Sequence, residues 1–244
     1  TPGGSPRALG LSTLRRRKFH RHFPQKTPSI FGGEKWENPL PKGLFFNTIK
    51  QPHYLLKKKG AKIMAKLTAG QTMPDFTYDT PFASGRTLTE TVQKVEGKTA
   101  LVFLRYYGCT LCQLDIRQFA REQEKITAGG GQMLVVLQSD PALVAGEMKE
   151  GDLPFDIICD PNQKLYKDFE INPAKSKLGM VDFKTIGKMK QAKSAGLEHG
   201  KYEGDELQLP AVFVLDRERT VTHAHYGKKV SDVPDADTLA AWLR

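Results

Sequence analysis

The sequence predicts an α/β domain in which helices flank a central mixed β-sheet. Two observations lead there. Nearly continuous apolar runs, such as TALVFLRY (Thr99–Tyr106) and QMLVVLQS (Gln132–Ser139), alternate with helix-compatible stretches, the pattern of strands buried on both faces. Further on, LPAVFVLD (Leu209–Asp216) and TVTHAHYG (Thr220–Gly227) follow each other directly, before a closing amphipathic segment. Alternating units and then two adjacent strands make a mixed sheet.

MPDFTYDT (Met73–Thr80) is short and alternating and has a proline near its start, so it is expected as an edge strand or extended arm. Thr87–Val95 has room for a short amphipathic helix, and Thr99–Tyr106 is the first buried strand. Gly108 to about Ala128 is expected as a helix ended by a triple glycine, with Leu111, Leu114 and Phe119 on its apolar side. After the second buried strand, Asp140-Pro141 supplies an N-cap and first turn for a helix ending at Gly151. FDIICD (Phe155–Asp160) is a third strand, followed by a short helix to Ile171 and then by Leu209–Asp216 and Thr220–Gly227. Pro234–Arg244 reads as the closing helix.

The net charge of +10 would ordinarily point to nucleic acid or an anionic surface. Its location removes that inference for the domain. Residues 1–63 hold 14 of the 37 Lys and Arg but 2 of the 27 Asp and Glu, which leaves the remainder near neutral. This leader is rich in Pro and Gly, carries RRRK and KKK, and lacks an apolar period, so it is expected to be poorly ordered. A basic nucleic-acid arm, a transit peptide and a structureless extension are three readings of it. The preferred reading is a non-native leader. KKGAKIM is compatible with a purine-rich ribosome-binding site just before a start codon at Met64, so the functional domain is placed at 64–244, with a Lys-rich insertion at 174–209. With three cysteines the chain is no disulfide scaffold. It has no apolar run long enough to span a membrane and no apolar signal core. The expectation is a cytoplasmic protein with neither nucleic acid nor membrane as partner.

The chemistry concentrates in LVFLRYYGCTLCQLDI (Leu101–Ile116). Cys109 falls where a central strand gives way to a helix, at the sheet edge where open α/β folds gather their active sites. Free N–H groups and the helix dipole there favour a thiolate, and a Cys-x-x-Cys at a helix N-terminus has its pKa lowered from about 8.5 to roughly 3.5–7.5. Cys109 is therefore expected to be the more acidic and more exposed thiol. Cys112, one turn on and deeper in the domain, can close on it as a resolving partner. Two other readings stand beside the redox one. Zinc needs more ligands, which His223 and His225, on one face of a strand, could in principle add to complete a Cys2His2 set. Alternatively, both cysteines are inert core residues. Cys159, at a strand end, reads as a core thiol, with a second resolving role as its alternative. Arg105 stands close enough in sequence to stabilise a thiolate or polarise a peroxide oxygen. By alternation it shares a face with Tyr107, while Tyr106 takes the other. Thr110 is the remaining supporting candidate between the cysteines, and Pro210 opens a buried strand as either punctuation or a proline loop against the dithiol.

In order along the chain, AGQTMPDFTYDT, LVFLRYYGCTLCQLDI, LVVLQSDP, CDPNQKLYKDF and LPAVFVLDRERTV resemble the alkyl hydroperoxide reductase/thiol-specific antioxidant (AhpC/TSA) family in its peroxiredoxin-like branch. The resemblance covers Met64–Arg244. It implies a thioredoxin-like fold and a thiol-dependent antioxidant oxidoreductase, with Cys109 attacking, Cys112 resolving to a Cys109–Cys112 disulfide, and Pro210 at the proline position of thioredoxins. It implies no cofactor. The partners implied are a peroxide or disulfide substrate and an external thiol reductant such as a thioredoxin-type protein. One departure is plain. Peroxiredoxins place Pro and Thr or Ser seven and three residues before the peroxidatic cysteine. Counted from Cys109, those positions hold Val102 and Tyr106; counted from Cys112, they hold Arg105 and Cys109.

Overall fold

The computed structural model describes residues 66–244; the leader, with the proposed start at Met64, lies outside the described residues. In chain order the elements are β1 (Thr77–Tyr78), β2 (Arg86–Thr87), α1 (Leu88–Val92), β3 (Thr99–Phe103), α2 (Thr110–Arg121), α3 (Gln123–Ile126), β4 (Gln132–Leu137) and α4 (Pro141–Glu147). They continue with β5 (Ile157–Cys159), α5 (Lys164–Asp168), α6 (Lys177–Met180), α7 (Phe183–Ser194), β6 (Ala211–Leu215), β7 (Val221–Tyr226) and α8 (Ala236–Leu243). Five strands form one sheet in the order β5-β4-β3-β6-β7. β3 pairs in parallel with β4 and β4 with β5, while β6 runs antiparallel to both β3 and β7. This is the mixed, helix-flanked sheet of a thioredoxin-like fold.

The apolar run of β3 is continuous because both faces of this central strand are covered. Ala100, Val102 and Leu104 join Ile116, Phe119 and Leu239 on one face, and Leu101 and Phe103 join Met73, Leu88 and Phe169 on the other. At the carboxyl edge the Tyr166 hydroxyl donates to the carbonyls of Leu104 (2.5 Å) and Val136 (2.9 Å), tying together the ends of β3 and β4, where the site begins. Local sequence sets the helix starts. Thr87 and Glu90 make a reciprocal capping box on α1, and Asp140 caps α4 with Pro141 at its first position.

Several expected elements differ in extent. The arm Met73–Thr80 pairs only over Thr77–Tyr78, in a separate ribbon with β2, and touches the main sheet through a bridge from Asp79 to Cys159. The helix expected from Gly108 to Ala128 is two. The backbone leaves the α region at Glu122, and the resulting bend brings Ile126 into the same core as Leu239 and Leu243. α1 ends at Val92 rather than Val95.

The Lys-rich insertion is partly a structural element. Lys188 of α7 pairs at 2.6 Å with Asp115, a carboxylate buried on α2, and Ala192 and Leu197 pack on Leu114. Replacing Lys188 with Met would strand that carboxylate. The expected loss is about 2 kcal/mol of stability in urea unfolding, with Lys188→Arg retaining most of it.

Candidate active site

The site forms where β3 runs out. After Phe103 the chain loops through Leu104–Gly108 and re-enters a helix at Thr110, with Cys109 as its N-cap. The Cys109 sulfur accepts from the Cys112 N–H (3.3 Å) and lies 2.8 Å from the Cys112 sulfur, so the pair is a reduced dithiol at the mouth of α2. Arg105 donates from Nη2 to the same sulfur at 3.0 Å. Burial alone would raise the Cys109 pKa. The Cys112 thiol, the Arg105 charge and the Cys112 N–H all stabilise the anion, and the balance brings it down to about 6. Burial raises Cys112 well above an ordinary thiol, and its bond to Cys109 and the charge there push the same way. The two thiols therefore differ at neutral pH, Cys109 favouring the ionised form and Cys112 the protonated one.

Cys109 is not the exposed thiol that its sequence position suggests; it is fully buried, as is Cys112. The cover comes from the far end of the insertion. Gly200 donates to the Gly108 carbonyl (2.8 Å), and Gln113 donates to the carbonyl of Glu198 (3.1 Å). The Tyr106 hydroxyl meets His199 Nε2 at 3.0 Å and donates to the Glu206 carboxylate. The Glu206 carbonyl accepts from Arg105 (2.8 Å), Ser139 donates to Glu203 (2.9 Å), and Gln138 accepts from the Asp205 N–H (2.7 Å). Residues 198–206 thus lie across the dithiol as a lid. Outside it runs a cleft of about 620 Å³ between α2, α4 and the lid, lined by Tyr107, Gly108, Ile116, Leu153, Lys201 and Glu203 among others.

The remaining candidates fall at varied distances from the sulfurs. β3 ends at Phe103, so strand alternation does not carry on to residues 105–107. Arg105 and Tyr106 both reach Glu206, while Tyr107 looks into the outer cleft and its N–H donates to Ser139. Thr110 is the half-buried first residue of α2. Pro210 is buried one residue before β6 and lines a small void with Arg105, Cys112 and Asp115. Cys159 ends the edge strand β5, and burial together with nearby carboxylates pushes its thiol up to about 12, an unreactive state at neutral pH. His223 and His225 lie on the other edge strand against Trp242. Among the described residues no three His, Cys, Asp or Glu side chains gather as a metal site requires.

Sequence reading missed the lid residues His199, Glu203 and Glu206. A signal was present: acids cluster at 198–206 in an otherwise Lys-rich insertion, punctuated by Gly196, Gly200 and Gly204. Replacing Arg105 with Ala removes the one cation on the thiolate. Because that cation stabilises the reduced form, the dithiol/disulfide potential is expected to fall by on the order of 30 mV, measured by equilibration with thiol–disulfide redox buffers.

The sequence profile of the AhpC/TSA family matches residues 69–224, well over half of the chain. Among solved structures, the chain resembles the peroxidoxin BcpB of Mycobacterium tuberculosis (TM-score 0.53, 15% identity, covering 73% of this chain and 97% of that one). It also resembles a peroxiredoxin-like protein of Aquifex aeolicus (0.50, 12%, 73% and 86%) and a reduced 2-Cys peroxiredoxin of Plasmodium vivax (0.50, 14%, 71% and 79%). At these identities the likeness is one of fold. No curated protein matches the chain.

Proposed function

We propose, for a chain that belongs to the AhpC/TSA family, that its thiol-dependent redox activity runs through Cys109 as attacking thiolate and Cys112 as resolving thiol. The observation that carries this reading is the contact set of one sulfur: Arg105 at 3.0 Å and the Cys112 sulfur at 2.8 Å, at a helix N-terminus. With a hydroperoxide, the thiolate attacks the outer oxygen, the O–O bond breaks and the leaving alkoxide takes up a proton. The sulfenic acid left on Cys109 then condenses with the Cys112 thiol, releasing water and forming a disulfide. With a disulfide substrate, the thiolate forms a mixed disulfide, and Cys112 displaces the second thiol. Either way an external dithiol, of the thioredoxin kind, restores the reduced pair.

A specific observation favours disulfide exchange as the second reading. Val102 and Tyr106 occupy the two positions where peroxiredoxins carry Pro and Thr. Val102 is buried in mid-strand, and the Tyr106 hydroxyl is taken up by His199 and Glu206. Stopped-flow measurement of free-thiol loss separates the two. Rapid loss with hydroperoxide supports peroxidase chemistry. Inertness to hydroperoxide combined with fast reduction of insulin disulfides assigns the site to protein-disulfide exchange. Failure of both would sink the Cys109–Cys112 assignment.

A further inference from the structure

Away from the dithiol, one surface is built unlike the rest. Five large apolar side chains stand in solvent within a single short stretch: Leu178 (86% exposed), Val181, Phe183 (93%), Ile186 and Met189. Only three other large hydrophobics are exposed among the described residues. Phe183, Ile186 and Met189 recur three apart along α7, so they share one side of the helix. The opposite side is committed inward, through Thr185, Lys188 and Ala192. Lys190 and Lys193 emerge on the apolar side one turn later, and the five side chains are not drawn into any core of the described residues.

The charge of this stretch is one-sided. Residues 174–197 contain six lysines and a single acid, Asp182. Asp182 is spent internally as the N-cap of α7 and as acceptor for Thr185 and Ser231, and Lys188 is held by Asp115. Lys175, Lys177, Lys184, Lys190 and Lys193 remain exposed, and among the described residues none of them has an ion-pair partner. An apolar row fringed by lysines calls for a partner that is apolar inside and negative outside. Protein–protein interfaces are depleted in Lys, whereas helices that lie in the headgroup region of a bilayer combine Phe, Ile and Leu with Lys on their flanks. The leader, with 14 basic residues and 2 acidic ones, has the wrong charge to cover this face.

We propose that the outer face of α7, with Leu178 and Val181 ahead of it, binds the surface of anionic lipid membranes, the apolar side chains entering the headgroup layer and the lysines meeting lipid phosphate. Among the described residues no helix is long and apolar enough to span a membrane. A surface-bound helix is a different arrangement, and it does not depend on which substrate the dithiol takes.

The test is sedimentation of the full chain with vesicles of phosphatidylcholine alone and of phosphatidylcholine mixed with phosphatidylglycerol. Binding to the anionic vesicles only, weakened by salt, is expected. The double variant Phe183→Asp/Ile186→Asp should bind about tenfold more weakly, and Lys190→Glu/Lys193→Glu should do the same without touching an apolar residue. Both variants keep the charged leader, so the difference reads α7 alone. The proposal is overturned if both variants bind as the parent does, or if the parent binds neither vesicle. It is equally overturned if the face instead drives concentration-dependent self-association, with no effect of the variants on lipid.

Discussion

Replacing Cys109 with Ser is expected to lower thiol-dependent turnover by on the order of a thousandfold or more, because a serine hydroxyl neither ionises near neutral pH nor forms a disulfide. Cys112→Ser should behave differently. Cys109 keeps Arg105 and the backbone N–H of residue 112 as partners, so its first oxidation proceeds at a rate close to that of the parent. The product then stops at a sulfenic acid or a persistent mixed disulfide, and repeated turnover fails. Dimedone labelling of the oxidised variant, read by mass spectrometry, detects the trapped sulfenic acid. If Cys112→Ser loses the first oxidation while Cys109→Ser keeps it, the roles of the two sulfurs are reversed.

The second large effect concerns access. A β-carbon on Gly108 would meet the Lys201 carbonyl oxygen at 2.2 Å and its nitrogen at 2.8 Å, both backbone atoms that cannot step aside by a rotamer change. Gly108→Ala is therefore expected to lift the lid, break the Gly200–Gly108 hydrogen bond and cost about 2 kcal/mol of stability. Alkylation of Cys109 at fixed pH should rise about tenfold, since loosening a local segment raises the population of its open state. Tyr106→Phe, which removes the hydroxyl shared by His199 and Glu206, should move alkylation the same way with a smaller loss of stability. Unchanged alkylation in both variants would mean that residues 198–206 are not the barrier.

The α/β architecture was legible because β3, β4 and β6 of the main sheet are apolar runs with distinct boundaries: a glycine and cysteine after Thr99–Tyr106, an Asp-Pro after Gln132–Ser139, a proline before Ala211. The same is true of the dithiol at the start of a helix, since Cys-x-x-Cys after a buried strand is a local pattern. The burial of Cys109 was not legible. It depends on Gly200 and Glu206, about a hundred residues away, crossing back over Gly108 and Arg105, and no periodicity encodes such a contact. Strand alternation misled at Arg105–Tyr107 for a related reason. It holds only while the chain is paired, and β3 stops at Phe103.

The most direct test of the account is the pH dependence of alkylation of the reduced protein, with peptide mapping to show which cysteine reacts. Cys109 should carry the early modification, and its rate should be half-maximal near pH 6, where its thiol is placed by Arg105, the Cys112 thiol and the helix N-terminus. The rate should then fall about tenfold for each further pH unit of acidification. A midpoint near 8.5, that of an ordinary cysteine, or early modification at Cys112, would contradict the assignment of Cys109 as the attacking thiolate.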